Sequence, residues 1–202
     1  MSRRKRAFDL VMLSGGAVVF APVMLSLATL IRLEDGGEVL FRQDRVGLGG
    51  RSFRIFKLRS MRDGQITRIG GLMRRTGLDE VAQFLNVLRG DMSLVGPRPW
   101  TAADLARWGW DGPDHHLRHT VKPGITGLAQ LFGRDLPESA ALDRAYVTGR
   151  DLRIDAELVA VSFVVNALGK GRVRALLQRP AARRLRAVRL AQATLARLAT
   201  PA

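Results

Sequence analysis

The sequence predicts an α+β fold, mostly helical, with an N-terminal re-entrant membrane helix, a small β-hairpin and amphipathic surface helices. Three observations carry this expectation. A charge-free run of 22 residues, Leu10 to Ile31, follows a basic start. Two alternating segments flank a glycine-rich turn at Gly47-Leu48-Gly49-Gly50. Most of the remaining apolar residues recur at helical spacing. At 202 residues the chain holds one ordinary domain rather than two. A hydrophobic share of 47% with 25% charged residues excludes a mainly disordered chain. The absence of cysteine excludes a disulfide framework, a Cys-ligated zinc or iron–sulfur site and a thiol nucleophile. The mean hydropathy of +0.00 is too low for a multi-span membrane protein. Three regions follow: residues 1–35, an apolar anchor; 36–170, the main domain; and 171–202, a basic amphipathic C-terminal helix.

As a straight helix the apolar run would reach about 33 Å, close to the hydrocarbon thickness of a bilayer. Three readings compete for it. Arg3 to Arg6, the apolar core and the small residues Ser26 and Ala28 resemble a signal peptide, although the run is long for one. A single spanning helix would keep Arg3 to Arg6 cytoplasmic and export the rest. A re-entrant segment would enter the membrane, turn and leave on the same side. Pro22 removes a helical hydrogen bond near the middle, and Ser14-Gly15-Gly16 add weak points; prolines are also tolerated in spanning helices. The strongly basic remainder suits the anionic cytoplasmic leaflet and favours re-entry. Of the formal net charge of +15, nine units lie between Lys170 and Ala202, which contains no acidic residue. The partners of such charge are anionic: lipid head groups, phosphorylated substrates or nucleic acid.

Along the rest of the chain, Val39 to Val46 reads as a strand, Gly47 to Gly50 as a turn and Ser52 to Leu58 as the returning strand. Ile66 to Arg75 reads as a basic helix, and Thr76 to Leu88 as a second with Leu78, Val81, Ala82, Leu85 and Leu88 on one face. Gly96 to Pro99 is a rigid loop, Ala102 to Trp110 a short helix and Lys122 to Gly127 a Pro/Gly loop. Ala140 to Val147 and Leu152 to Leu168 read as helices. Ala181 to Ala199 sets Leu185, Val188, Leu195 and Leu198 against arginines, which fits a helix on a membrane surface or one packed on the domain.

Asp79-Glu80 is the first candidate for chemistry. Neighbouring helical side chains point about 100° apart, so these carboxylates have different roles rather than share a proton. Thr76 and Asp79 also have capping-box spacing. The two readings are compatible, because helix-terminal amides would keep the carboxylate charged, to attack phosphorus or bind Mg²⁺. In Gly96-Pro97-Arg98-Pro99 the prolines hold Arg98 extended, a guanidinium suited to a phosphate or a solvated surface turn. Gly124 and Gly127 of Lys122-Pro123-Gly124-Ile125-Thr126-Gly127 would let backbone N–H groups approach an anion, a weak signal alone. His115, His116 and His119 have ligand spacings but read better as a polar surface segment than as a metal site. Trp108 and Trp110 are interfacial anchors or core.

Longer stretches then form a recognisable pattern. Phe41-Arg42-Gln43-x-Arg45-Val46-Gly47 and Phe53-x-Ile55-Phe56-Lys57-Leu58-Arg59-Ser60-Met61 open it. Leu72 to Pro99, containing Asp79-Glu80, Asn86-Val87-Leu88-Arg89-Gly90-Asp91-Met92-Ser93 and Gly96-Pro97-Arg98-Pro99, is its centre. Arg118, Val121 to Gly127, Ala129-Gln130, Gly133-Arg134, Leu142-Asp143, Tyr146-Val147 and Asp155 continue it in order. With Lys5-Arg6-x-Phe8-Asp9 and the run containing Pro22, the chain resembles the bacterial sugar transferase family, the monotopic phosphoglycosyl transferases, over roughly residues 5 to 170.

The resemblance implies transfer of a sugar 1-phosphate from a UDP-sugar to a polyprenyl (undecaprenyl) phosphate, with UMP released, to initiate polysaccharide or glycoconjugate assembly. It implies a re-entrant helix broken at Pro22 on the cytoplasmic face of the bacterial inner membrane. Asp79 matches the nucleophile that carries the phosphosugar, Glu80 the second dyad member, and Mg²⁺ would sit on the diphosphate and the dyad. Lys57, Arg98 and Arg134 match positions lining the anionic pocket; Asp155, Gly124 and Gly127 are supporting positions. Anionic lipids and a downstream glycosyltransferase are implied partners, nucleic acid is not. Ala21, Gly77 and Leu128 replace a common Ser, Ser and Trp, the segment from Met61 to Ile66 is short, and the chain looks like the minimal catalytic form. The alternative from another class is a basic membrane- or nucleic-acid-binding protein whose dyad only caps a helix; an inactive scaffold is a third, against which the intact dyad stands.

Overall fold

The computed structural model describes residues 2–133, 135–168, 173, 182 and 184–199. Helix α1, Arg3–Asp35, starts where the Ser2 hydroxyl accepts the Lys5 N–H and stops at Gly36, whose left-handed conformation turns its N–H back to Arg32 O. The expected interruption at Pro22 is absent: the helix is continuous through it. A proline forfeits one backbone bond, but contacts on both sides hold this one in place. Phe20 packs on Phe84 and Phe163 at 5.0 and 5.8 Å, and Val23, Met24, Leu27 and Ile31 join a cluster with Phe56, Leu58, Met73 and Ala82. The other face is left bare. Val11, Val18, Leu25 and Leu33 are 70%, 78%, 66% and 77% exposed, too apolar a stripe for water.

Both ends of α1 are fastened to the same body. Lys5 bridges the carboxylates of Asp9 (2.9 Å) and Asp155 (3.0 Å), and Asp9 in turn accepts the Ser93 hydroxyl at 2.8 Å. Arg6 donates to the carbonyls of Val87 and Leu88. At the far end Glu34 accepts the N–H groups of Arg68 and Ile69, the orphan donors of the next helix.

Strands β1, Leu40–Val46, and β2, Ser52–Leu58, form the expected antiparallel hairpin, with Phe41 opposite Lys57 and Arg45 opposite Phe53. A second hairpin that the periodicity did not foretell, β3 Met61–Arg62 and β4 Gln65–Ile66, precedes α2, Arg68–Thr76. The single helix expected over Thr76 to Leu88 is corrected. Gly77, at φ 72°, ends α2, a 3₁₀ segment runs over Leu78–Gln83, and α3 follows over Phe84–Arg89. Buried Asn86 of α3 donates to Arg54 O (2.7 Å) and accepts the Phe56 N–H (3.0 Å), which ties that helix to the free edge of β2.

Strand β5, Ser93–Val95, runs parallel to β6, Gly124–Thr126, which lies inside the segment expected to be only a loop. Helices α1, α3 and the later helix Leu152–Leu168 pack on this pair, and short helices α4, Ala102–Arg107, and α5, Leu128–Phe132, and a 3₁₀ segment over Pro113–Thr120 complete this part of the chain. Helix α6, Leu136–Gly149, is longer than its predicted core, and α7, Leu152–Leu168, matches expectation. The main core combines Val87, Met92, Val95, Leu128, Leu142, Tyr146 and Leu158. The last described helix, α8, Arg186–Ala199, puts Ala187, Val188 and Ala191 at zero exposure. Its Ala187 N–H reaches Glu157 and its Arg186 pairs with Asp151, both at the α7 end of the domain. Its apolar side packs on the domain. Lys170, Arg172, Arg174, Arg179 and Arg183 of the basic region lie outside the described residues.

Residues 96 and 124 meet backbone to backbone. A Cβ on Gly124 would stand 2.0 Å from Gly96 N and 2.5 Å from Thr126 O, where nothing can yield without parting the strands. Gly124→Ala is therefore expected to destabilise the fold by about 3 kcal/mol or more, read as a lower unfolding midpoint in denaturant; an unchanged midpoint would contradict this packing.

Candidate active site

Three elements converge on one carboxylate. Lys57 leaves β2 on the face it shares with Phe41 and Arg45, Glu80 sits in the first turn of the 3₁₀ segment, and Arg98 is delivered by the loop after β5. Lys57 Nζ lies 2.9 Å and Arg98 Nη2 3.3 Å from the same oxygen, Glu80 Oε1. Burial pushes the Glu80 pKa up, but Arg98 and Lys57 together outweigh it and hold the group below the usual carboxylate range. Asp79 stands differently. Among the described residues it has no ion pair within 4.0 Å; its pKa is raised, chiefly by burial, with Lys57 and Arg74 pulling the other way and Glu80 adding to the rise. The helix-start amides therefore do not dominate its charge state. Thr76, the expected cap, is the last residue of α2 and donates its hydroxyl back to Leu72 O at 2.9 Å, so the capping box does not form.

The structure thus joins Lys57, Glu80 and Arg98 and sets Asp79 beside them as a half-buried carboxylate near cations. A carboxylate so placed can act as a nucleophile, and the two cations can receive phosphate oxygens. No group of three or more His, Cys, Asp or Glu side chains able to hold a metal occurs among the described residues; His115 is stacked on Trp110. Mg²⁺ needs no such cage, because it binds through one or two carboxylates with substrate phosphates completing the shell. The Asp79–Glu80 pair fits that requirement.

Other predicted positions play structural parts here. The Gly124 N–H donates to Pro97 O at 2.9 Å, so it does not point at an anion; the glycines instead permit the close approach of two backbones. A Cβ on Gly127 would stand 2.2 Å from Gly96 O. Asp155 accepts the Tyr146 hydroxyl (2.7 Å) and pairs with Lys5, away from the dyad's partners. Arg134 lies outside the described residues. Sequence reasoning missed Arg45 as a site residue. Its Nη1 reaches Pro99 O at 3.4 Å, its Nη2 reaches Gln43 at 2.5 Å, and Arg98 and Glu80 both act on its charge. Strand alternation from Lys57 through its partner Phe41 to Arg45 was the signal available.

Comparison with known proteins adds independent weight. A family model described as bacterial sugar transferase matches residues 1–168. A UDP-glucose:undecaprenyl-phosphate glucose-1-phosphate transferase of Caulobacter vibrioides is 44% identical over 144 residues, covering 64% of this chain and 54% of the relative. The Escherichia coli protein of that name is 40% identical, covering 64% and 31%. The exopolysaccharide production protein PSS of Rhizobium leguminosarum is 38% identical over 195 residues, covering 83% of this chain and 96% of the relative. The chain therefore spans about half of the first relative and about a third of the second, but nearly all of the third.

The two carboxylates should move stability in opposite directions. Asp79, with its folded pKa raised, stabilises the fold only below its unfolded value of about 3.9 and loses that contribution as pH rises through the folded value. Asp79→Asn should accordingly melt at or above the parent's temperature at pH 7, the difference fading below about pH 4. Glu80, with its folded pKa lowered, contributes above its unfolded value of about 4.3 and loses that contribution as pH falls through the folded one. Glu80→Gln, leaving two cations without their shared partner, should lose about 1–3 kcal/mol at pH 7. Thermal melts across pH 3–8 check both signs; an Asp79→Asn protein melting below Glu80→Gln at pH 7 would contradict them.

Proposed function

This chain belongs to the bacterial sugar transferase family, and on that premise we propose that it transfers a sugar 1-phosphate from a UDP-sugar to a polyprenyl phosphate through a phosphosugar–Asp79 intermediate. The observation that carries the proposal is the asymmetry of the dyad: Glu80 is gripped by Lys57 and Arg98, while Asp79 has no ion pair among the described residues.

An Asp79 oxygen attacks the β-phosphorus of the donor. The bond from that phosphorus to the bridging oxygen breaks, and UMP leaves with the oxygen. An oxygen of polyprenyl phosphate then attacks the same phosphorus, breaks its bond to Asp79 and restores the carboxylate, giving polyprenyl diphosphate sugar. Two displacements at one phosphorus let a soluble donor and a lipid acceptor use one pocket in turn. Lys57 and Arg98 exchange Glu80 for phosphate oxygens and stabilise charge on the transferring group. Glu80 keeps the pair of cations in place between turnovers. Mg²⁺, held by Asp79 and Glu80 with the donor's phosphates, would supply further charge neutralisation. Arg134 is assigned to the same anionic pocket on its family position alone.

The setting follows from α1. A helix crossing the bilayer would send one end to the far side, whereas here Lys5, Arg6 and Asp9 at one end and Glu34 at the other hold the same domain. This supports insertion from one face, with the bare apolar stripe in lipid, Pro22 within the inserted stretch and the basic surface on anionic lipids. The place proposed is the cytoplasmic face of the bacterial inner membrane, where the product would start a polysaccharide or glycoconjugate for a downstream glycosyltransferase. The name of the Rhizobium relative supports exopolysaccharide as the polymer class.

Two measurements test this. Asp79→Asn should lower UMP release from the productive UDP-sugar on the order of 10³-fold or more, with membrane binding intact; near-parent release would remove the mechanism. Because the chain has no native cysteine, single cysteines placed at Ser2 and at Gly36 report topology. Both should react with an impermeant thiol reagent from the same side; labelling from opposite sides would refute insertion from one face.

A further inference from the structure

The loop that delivers Arg98 carries an aromatic ring two residues later. Trp100 is half-buried, and the Arg98 guanidinium lies over one face of its ring, 5.2 Å from the centre, while reaching Glu80 at 3.3 Å, so the opposite face is the one left for a ligand. A second ring braces Trp100. Trp108 meets it at 4.7 Å with an interplanar angle of 89°, and Trp110 meets Trp108 at 5.6 Å. Trp110 is buried and is itself flanked by His115 at 5.3 Å and Arg118 at 5.0 Å. The backbone is equally fixed. The Val46 N–H donates to Trp100 O at 2.9 Å, Arg45 to Pro99 O, and Arg118 to Arg98 O at 2.7 Å. An indole held this firmly loses little entropy when a ligand stacks on it.

We propose that Trp100 is the platform on which the pyranose ring of the donor stacks, and hence a sugar-recognising residue of the site; this rests on the transfer reading above. The phosphate clamp of Lys57 and Arg98 is cationic and recognises only the diphosphate. The sugar is one P–O–C linkage from the phosphorus under attack, so its recognition must come from a group beside that clamp. Trp100 is beside it, joined through Arg98. The C–H face of a pyranose carries partial positive charge and matches the negative face of an indole. Which hydroxyls stand axial decides how flat that face is, so an aromatic platform separates sugars by ring stereochemistry.

The test reads sugar contact apart from nucleotide contact. UDP-glucose, UDP-galactose and sugar-free UDP are titrated by calorimetry onto the detergent-solubilised parent, Trp100→Ala and Trp100→Phe. The alanine variant should bind its preferred UDP-sugar roughly 3- to 10-fold more weakly, bind UDP as the parent does, and discriminate less between the two sugars. The phenylalanine variant should recover most of the loss. Equal weakening of UDP and UDP-sugar would assign Trp100 to the uracil or to holding the loop, and overturns the proposal, as does unchanged sugar affinity. A parent that binds donors in the expected pattern but releases no UMP from any of them supports the platform and counts against transfer.

Discussion

One shared oxygen organises this molecule. Glu80 Oε1 brings Lys57 of the hairpin and Arg98 of the loop after β5 to a single point. A half-buried cation pair would otherwise repel, and a half-buried glutamate would otherwise take up a proton. Each tendency is cancelled by the other. The result is a preformed positive site with a neighbouring carboxylate, Asp79, that the clamp does not consume. Preorganised charge of this kind does not have to reorient when a phosphoryl group passes through, and a large part of phosphoryl-transfer catalysis lies in that.

The apolar helix and the site are one construction. Lys5 and Asp9, in the first turns of α1, connect through Ser93 to the strand that leads directly into the Arg98 loop. Asp155 and Tyr146 close the same buried network, and the Tyr146 hydroxyl also stands 3.1 Å from Val95 O. At the other end, Leu27 and Ile31 pack with Phe56 and Leu58, the neighbours of Lys57 in β2. Both cations of the clamp are therefore carried by elements that rest on α1. The transfer proposed above, between a soluble nucleotide and a lipid phosphate, would require the site to sit at a fixed depth relative to the lipid surface, and this packing would provide it.

Local order was legible in the sequence; nonlocal order was not. The alternation from Ser52 to Leu58 gave that strand its full length, and the apolar run from Leu152 to Leu168 did the same for α7. Strands β5 and β6 have only three residues each and find one another across nearly thirty others, so no periodicity announces them. Gly77 ended α2 because its left-handed conformation breaks the helical path, a choice the apolar spacing on either side conceals. Pro22 stayed helical because flanking side chains pack on the domain. Asp79, Glu80, Lys57 and Arg98 could each be picked out as residues, with different roles for the two carboxylates, yet only three dimensions show that both cations pair with Glu80 and leave Asp79. Arg45 and Trp100 were hidden because their meaning comes from the strand face and the loop they share with the clamp.

The most direct measurement is the mass of the tryptic peptide containing Asp79 after incubation with UDP-sugar and Mg²⁺ in the absence of acceptor. The account predicts a population heavier by one sugar phosphate, localised to Asp79, which disappears when polyprenyl phosphate is added. UMP formed at the parent's rate with acceptor present, and no modified peptide at any time point without it, would contradict the covalent route.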